Sequence, residues 1–336
     1  MKNRSRQYGQ LLIALTMLLP TLFPTAALAQ KPDLPDNYPN KPVRVIVGTG
    51  PAGGTDLLTR AIFGKIGEKW GASFVVENMA SLVGGIRALD TTRAAPANGY
   101  IIMGTSSSTL QNAMFITKVP YDVKKEFIPT VQYAHTPLLM VIHPSVPANT
   151  IKEFIAYAKA NPGKINAANA GLGTAGHLAA ELLKHLAKIE MQTVPYKGGG
   201  LAATDTVGGR TQVLFTTAVA LAPFTRTGKL KILGITSAQR MPSNPDIPTL
   251  AEGGVPGYAY QGWLGAILKA GTPMSIVRAL NRSAIEVVKT PEMASRYVAD
   301  GSDPAYTSPE EFREVVEGAL NRAEILIRET GLKLEE

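Results

Sequence analysis

The chain has 336 residues, a formal charge of +8 and no cysteine. The missing thiols exclude disulfides, thiolate metal sites, cysteine nucleophiles and a lipid-modified N-terminal cysteine. Lys2, Arg4 and Arg6 supply three of the charges, so the rest is a mildly basic chain of about +5 without a basic run. That distribution favours anionic solutes over nucleic acid.

Those three cations precede an apolar stretch, Leu11 to Leu22, that is too short to span a bilayer comfortably. Ala27-Leu28-Ala29 follows with the small-x-small pattern of a signal peptidase site, which predicts a signal peptide over 1–29, cleavage after Ala29 and an untethered periplasmic protein. Val43 to Val47 reads as a strand, followed by a glycine-rich turn and a helix from about Asp56 to Trp70. Strands follow at Phe74 to Glu77, Tyr100 to Met103 and Leu138 to Ile142. Thr150 and Glu153 form a capping-box pattern that opens a helix ending near Ala160.

A second set of elements follows. Strands are expected at Ile165 to Ala168, Met191 to Val194, Val213 to Thr216 and Ile232 to Ile235, with a helix over Thr174 to Leu186. Gly262 to Leu268 reads as a run returning to the first set. Two helices close the chain, one after Thr272-Pro273 and one opened by Ser308-Pro309-Glu310-Glu311. Strands alternating with helices predict parallel α/β layers. The expected plan is a two-lobed α/β fold with a ligand cleft between the lobes, lobe one from 30–138 plus 258–336 and lobe two from 139–257.

Two glycine loops, each between a strand and a helix, carry the candidate chemistry. Loop one is Gly48-Thr49-Gly50-Pro51-Ala52-Gly53-Gly54-Thr55-Asp56, and loop two is Ala170-Gly171-Leu172-Gly173-Thr174-Ala175-Gly176-His177. Backbone N–H groups of such loops converge with the helix N-terminus into an anion site. Asp56 falls in the first turn, where it caps the helix or accepts from a ligand donor; His177 packs or hydrogen-bonds loop two. Ser106, in the run Ser106-Ser107-Ser108, offers a hydroxyl to a ligand or caps the next helix. Both loops also match G-x-G-x-x-G, and the first leads through a helix to Glu77, so a dinucleotide site is an alternative. Pro51 removes one N–H from that loop, and Glu190 precedes its strand instead of ending it, which weakens that alternative. The four histidines lack zinc spacing, and no G-x-S-x-G elbow exists. An exported α/β hydrolase or oxidoreductase remains the competing class.

Tyr38-Pro39-x-Lys41-Pro42, Pro51-x-Gly53-Gly54-Thr55-Asp56, Val75-Val76-Glu77-Asn78, Gly99-Tyr100, Pro120-Tyr121-Asp122 and Pro144-Ser145-Val146-Pro147 occur in that order. Gly171-x-Gly173-Thr174, His177-Leu178-Ala179, Val194-Pro195-Tyr196-Lys197-Gly198 and Ala270-Gly271-Thr272-Pro273 continue it. This series resembles the tripartite tricarboxylate transporter receptors, also called Bug proteins, across essentially the whole mature chain. The resemblance implies a two-lobed periplasmic binding protein without enzymatic activity that closes on a small carboxylate and hands it to membrane subunits. It implies a ligand held by backbone amides and ordered waters of the two loops, with Lys197 the one cation nearby.

The chain departs from the family pattern in ways that bear on the ligand. Thr49-Gly50-Pro51-Ala52 replaces a common aromatic residue and double proline, Met79 to Val83 replaces an arginine-proline-glycine run, and Thr216-Thr217 stands where an aspartate is frequent. These smaller, less acidic groups predict a pocket for a dicarboxylate or aromatic carboxylate without an amine. The expected contacts are Gly53, Gly54, Thr55, Gly173, Thr174 and Ala175 on carboxylate oxygens, with Thr49, Asp56, Ser106, His177, Tyr196 and Thr217 shaping the rest. A monomer with no metal, no organic cofactor and no nucleic-acid partner is expected.

Overall fold

The computed structural model describes residues 34–331 apart from 36, 52, 82–84, 116–120, 197, 226, 243 and 244. The expected signal peptide, Ala52 and Lys197 therefore lie outside the described residues. In chain order the elements are β1 (Val43–Val47), α1 (Gly54–Trp70), β2 (Phe74–Asn78), α2 (Ile86–Ala94), β3 (Ile101–Ser106), α3 (Ser107–Phe115), α4 (Val123–Glu126), β4 (Phe127–Thr136) and β5 (Leu139–Ile142). They continue with α5 (Ile151–Ala160), β6 (Asn166–Asn169), α6 (Ala175–Ala187), β7 (Gln192–Pro195), α7 (Gly199–Val207), β8 (Val213–Thr216), α8 (Ala218–Thr225) and β9 (Lys231–Ile235). The last are β10 (Gly262–Lys269), α9 (Met274–Val288), α10 (Pro291–Asp300), β11 (Asp303–Pro304) and α11 (Pro309–Thr330).

The strands form two sheets, one per lobe, in the orders β11-β4-β10-β3-β1-β2 and β7-β6-β8-β5-β9. Neither is wholly parallel, which corrects the layer reading. β10 runs antiparallel to β3 and β4, and β5 runs antiparallel to β8 and β9. The reason is topological: a chain that leaves one sheet and later returns adds its crossing strands against the direction of the βα units.

That same crossing fixes where the loops lie. Gly262, at the start of β10, sits opposite Thr136 at the end of β4, and Leu264 sits opposite Ser106, the last residue of β3. In the second sheet Leu139 opens β5 opposite Thr216, the last residue of β8, and opposite Ile235 at the end of β9. Both connections between the sheets therefore leave from the edge at which the parallel strands end. The two carboxyl edges face each other, as the crevice of an open α/β sheet requires.

β4 is the longest strand that the sequence pattern missed. Pro129 in its interior argues against a central strand, because proline has no ladder N–H. The structure places Pro129 beside a register shift between Ala266 and Ile267, where a bulge removes the need for that donor. A third closing helix, α10, is also present; Thr290 caps it by accepting from the Met293 N–H, and Pro291 is its first residue. The expected box at Thr150 is altered: Thr150 accepts from Glu153 N at 3.1 Å, but Glu153 bonds the N–H of Asn149 at 2.7 Å. At Ser308 the reciprocal box with Glu311 is complete.

One apolar core runs through both lobes, from Ile46, Met103 and Ile267 through Phe312 and Leu320 to Leu178, Phe154 and Phe215. Its joint is the meeting of α3, α6 and α11. On this core Trp263 packs edge-to-face against Phe312 at 4.9 Å, with both rings buried. Gly265 lies beneath them: a Cβ there would stand 2.4 Å from Phe312 Cζ and 2.7 Å from the Val131 carbonyl oxygen. Gly265→Ala is expected to cost about 1–3 kcal/mol through overpacking, read as a lowered urea midpoint at unchanged slope. A wild-type midpoint would show that Phe312 gives way without strain.

Candidate functional site

Loop one leaves β1 and turns into α1 at Gly53, which has no side chain to cap the helix. The N–H groups of Gly54 and Thr55 thus have no acceptor within the helix and no cap. The macrodipole adds partial positive charge at the same place. Asp56 is 2% exposed, and its carboxylate is turned to other partners: Oδ1 accepts from Arg60 Nε at 2.8 Å and from Asn78 Nδ2 at 2.8 Å. Arg60 Nη2 donates to Asn78 Oδ1 at 2.7 Å, and Asn78 Nδ2 also donates to the Thr49 carbonyl at 3.0 Å. This network braces loop one from the helix side and neutralises Asp56. The Thr49 hydroxyl is buried without a partner among the described residues.

Close backbone approaches hold loop one in place. A Cβ on Gly48 would lie 2.6 Å from Gly85 Cα, and one on Gly85 would lie 2.4 Å from Thr109 Cγ2 on α3. Ser106 sits at the turn from β3 into α3. Its Oγ lies 3.2 Å from Ser108 Oγ and 3.1 Å from Thr109 Oγ1, and it accepts from the Thr109 N–H at 3.4 Å. Ser106 thus accepts at the start of α3.

Loop two is built differently. The Thr174 hydroxyl, which would cap α6, donates instead to the Gly171 carbonyl at 2.7 Å. The N–H groups of Ala175 and Gly176 are left without an acceptor in the helix, as in loop one. Gly176 allows this helix start to sit on β8, since a Cβ there would meet the Phe215 carbonyl oxygen at 2.4 Å. Gly173 is not among the open donors, which corrects the expected contact: its N–H goes to His177 Nδ1 at 2.9 Å. His177 is 2% exposed, and burial lowers its pKa, with Glu181 opposing that effect and Lys184 adding to it. The neutral ring keeps Nδ1 as an acceptor, and Nε2 faces Glu181 Oε1 at 3.7 Å. Glu181 is itself engaged by Lys184 and by the Thr193 hydroxyl.

In the second lobe α7 also starts without a side-chain cap, as do α2 and α9 in the first. Gly198, at φ 117°, precedes α7 and has no side chain to close it. A Cβ on Gly199 would lie 3.8 Å from Thr216 Oγ1, so this turn borders the end of β8. Tyr196 stands beside it, but its hydroxyl donates to Asp205 Oδ2 at 2.8 Å, and Arg210 holds the other oxygen of that carboxylate. The Tyr196 hydroxyl is thus tied to its own lobe. Thr217 follows β8 directly and is half-buried.

Arg60, Asn78 and Asn112 are the residues that sequence reasoning did not assign. Asp56 and Arg60 stand one helical turn apart, a spacing that signals the pair. Asn78 carries no local signal of its role, since its partners come from another loop and a helix. Asn112, with its amide oriented by its partners, donates to the Ser108 carbonyl at 3.2 Å and to the Gly173 carbonyl at 2.7 Å.

No helix among the described residues is long and apolar enough to cross a membrane. In comparisons with solved structures, "R. palustris Rpa4515 with adipate" shares 29% identity, covers 88% of this chain and 99% of its own, and superposes with a TM-score of 0.75. "MatC (Rpa3494) from Rhodopseudomonas palustris with bound malate" shares 27% identity over 86% of this chain and 100% of its own, at a TM-score of 0.73. Among curated relatives, Protein BugT of Bordetella pertussis is 30% identical over 93% of this chain and 95% of its own length. The family model described as the tripartite tricarboxylate transporter family receptor matches residues 58–332. The chain therefore belongs to the tripartite tricarboxylate transporter receptor family, and its fold is that of a two-lobed solute-binding protein.

Proposed function

We propose that the protein is an exported receptor that traps a small, amine-free carboxylate between its lobes and presents it to the membrane subunits of a tripartite transporter. The observation that carries this reading is the pair of helix starts, α1 and α6, whose N-cap residues leave the first N–H groups without acceptors. Two such donor sets on facing sheet edges suit an anion with an oxygen-rich group at each end. The N–H groups of Gly54 and Thr55 would hold one carboxylate, and those of Ala175 and Gly176 another. Thr49 would add its hydroxyl, and Thr216 and Thr217 would border the ligand's body.

Asp56 supports a ligand without an amine. A ligand ammonium would need an available carboxylate, and this one already neutralises Arg60. The adipate and malate in two related structures are both amine-free dicarboxylates, which supports the class without naming the member. Receptor action without catalysis, and transfer to membrane partners, rest on the family. Trapping by closure would present the loaded form to the transporter.

Three outcomes test the reading. In thermal melts of the mature protein, a recognised carboxylate at 100 times its dissociation constant adds about 2.7 kcal/mol of stability. Malate, adipate and an aromatic acid are to be set against aspartate and glutamate; a larger shift with the amino acids overturns the amine-free class. Ala175→Pro keeps the helix, because proline suits its first position and Thr174 already has an extended ψ of 159°. It deletes one donor to a charged group, so the stabilising carboxylate should bind on the order of 10- to 100-fold more weakly by calorimetry, with unchanged circular dichroism. Unchanged affinity would remove Ala175 from the site. N-terminal sequencing of periplasmic protein should begin at Gln30; recovery of an intact N-terminus would contradict export with cleavage.

A further inference from the structure

Gly173 is gripped on both sides. Its N–H donates to His177 Nδ1 at 2.9 Å, within the second lobe, and its carbonyl accepts from Asn112 Nδ2 at 2.7 Å, from the first. The residue is buried, with φ at 73° in the left-handed region, so neither bond is a passing surface contact. Asn112 is 2% exposed, and its amide also donates to the Ser108 carbonyl, which fixes the direction of the side chain.

The preceding residue, Gln111, anchors this part of α3 within the first lobe. Its Nε2 donates to the Ala319 carbonyl of α11 at 3.2 Å, and its Oε1 accepts from the Tyr260 hydroxyl at 3.3 Å on the segment that returns to β10. Tyr258 on the same segment donates to the Ala179 carbonyl of α6 at 2.9 Å. Gln111 thus ties the first lobe to its own closing helix and to the return segment. Asn112 reaches across to the turn that starts α6.

We propose that Asn112 is a positioning residue that couples approach of the lobes to the shape of loop two, with His177 as the fixed jaw on the other side of Gly173. When the lobes part, the Asn112 bond breaks and the Gly173 carbonyl loses its inter-lobe donor. The turn from Gly171 to Ala175 then has one anchor fewer, so its helix-start N–H groups are less well aligned. When the lobes meet, the bond re-forms and aligns those donors before the ligand is enclosed. The ring of His177 serves by accepting only while neutral; Glu181 and Lys184 face it from its own helix, and the Asn112 amide on the other side of Gly173 carries no charge.

The ligand consequence rests on the carboxylate-receptor reading, but the clamp itself is measurable without ligand. The chain has no cysteine, so Lys159→Cys on α5 and Arg282→Cys on α9 give a clean pair of spin-label sites, one per lobe. Asn112→Leu keeps the branched outline of the side chain and removes the amide. Without ligand it should lengthen the inter-lobe distance distribution and speed amide exchange over 170–177 about tenfold. His177→Phe should speed the same exchange and leave the inter-lobe distance unchanged, a contrast that a merely structural role for both residues would not produce. For a carboxylate that the wild type binds, Asn112→Leu should weaken affinity by about 3- to 10-fold, the size of one neutral hydrogen bond.

Wild-type exchange and distance in Asn112→Leu overturn the proposal. If that variant melts too early to read, Asn112→Asp gives the answer at two pH values. At about pH 8 its carboxylate repels the Gly173 carbonyl and the lobes part; at about pH 4 the protonated acid donates and the short distance returns. A distance independent of pH overturns the clamp equally. A wild type that binds no carboxylate refutes the ligand reading, while exchange and distance still decide the clamp.

Discussion

A helix that starts at the mouth of a cleft leaves N–H groups that nothing inside the helix accepts, and the surrounding loop must either cap them or leave them for a guest. In α1 and α6 the loop leaves them. Gly53 has no side chain to offer, and the Thr174 hydroxyl is turned back to the Gly171 carbonyl. The neighbouring groups brace both loops without occupying those donors. Asp56 is drawn to Arg60 and Asn78, and His177 takes the N–H of Gly173. A serine or aspartate at position 53 would supply the missing acceptor and compete with an incoming anion.

The chain's path sets where the two donor sets lie. Both connections between the sheets leave from the edge at which the parallel strands end, as the register of Gly262 with Thr136 and of Leu139 with Thr216 requires. The glycine loops follow those same strand ends, so they are brought to the facing edges by topology. The continuous apolar core from Phe312 to Leu178 then supports α3 and α6 beside one another, close enough for Asn112 to reach Gly173.

Charge is handled by the backbone more than by side chains. A buried ion pair at the anion site would carry a large desolvation cost, whereas oriented amides and a helix dipole add partial charge without it. On the proposed reading, this is how a carboxylate is held without an arginine in either loop. It also makes the neutral state of His177 matter: burial holds its pKa down, and Nδ1 can accept from Gly173 only without a proton.

Most strands and the main helices were legible in the sequence because apolar periodicity and glycine turns are local properties. The glycine loops were legible too, since Gly53-Gly54 and Gly173-Thr174 each punctuate a strand-to-helix turn. β4 was not, because Pro129 reads as a breaker until the bulge opposite it is known. The roles of Gly173, Tyr196 and Asn112 were not either. Composition and local pattern thus determined the α/β class, the two anion-suited loops and the family resemblance. Only the tertiary structure decided which N–H groups stay open, since His177 Nδ1 takes that of Gly173 and the Thr174 hydroxyl turns away to the Gly171 carbonyl, through distances and directions that a sequence does not carry.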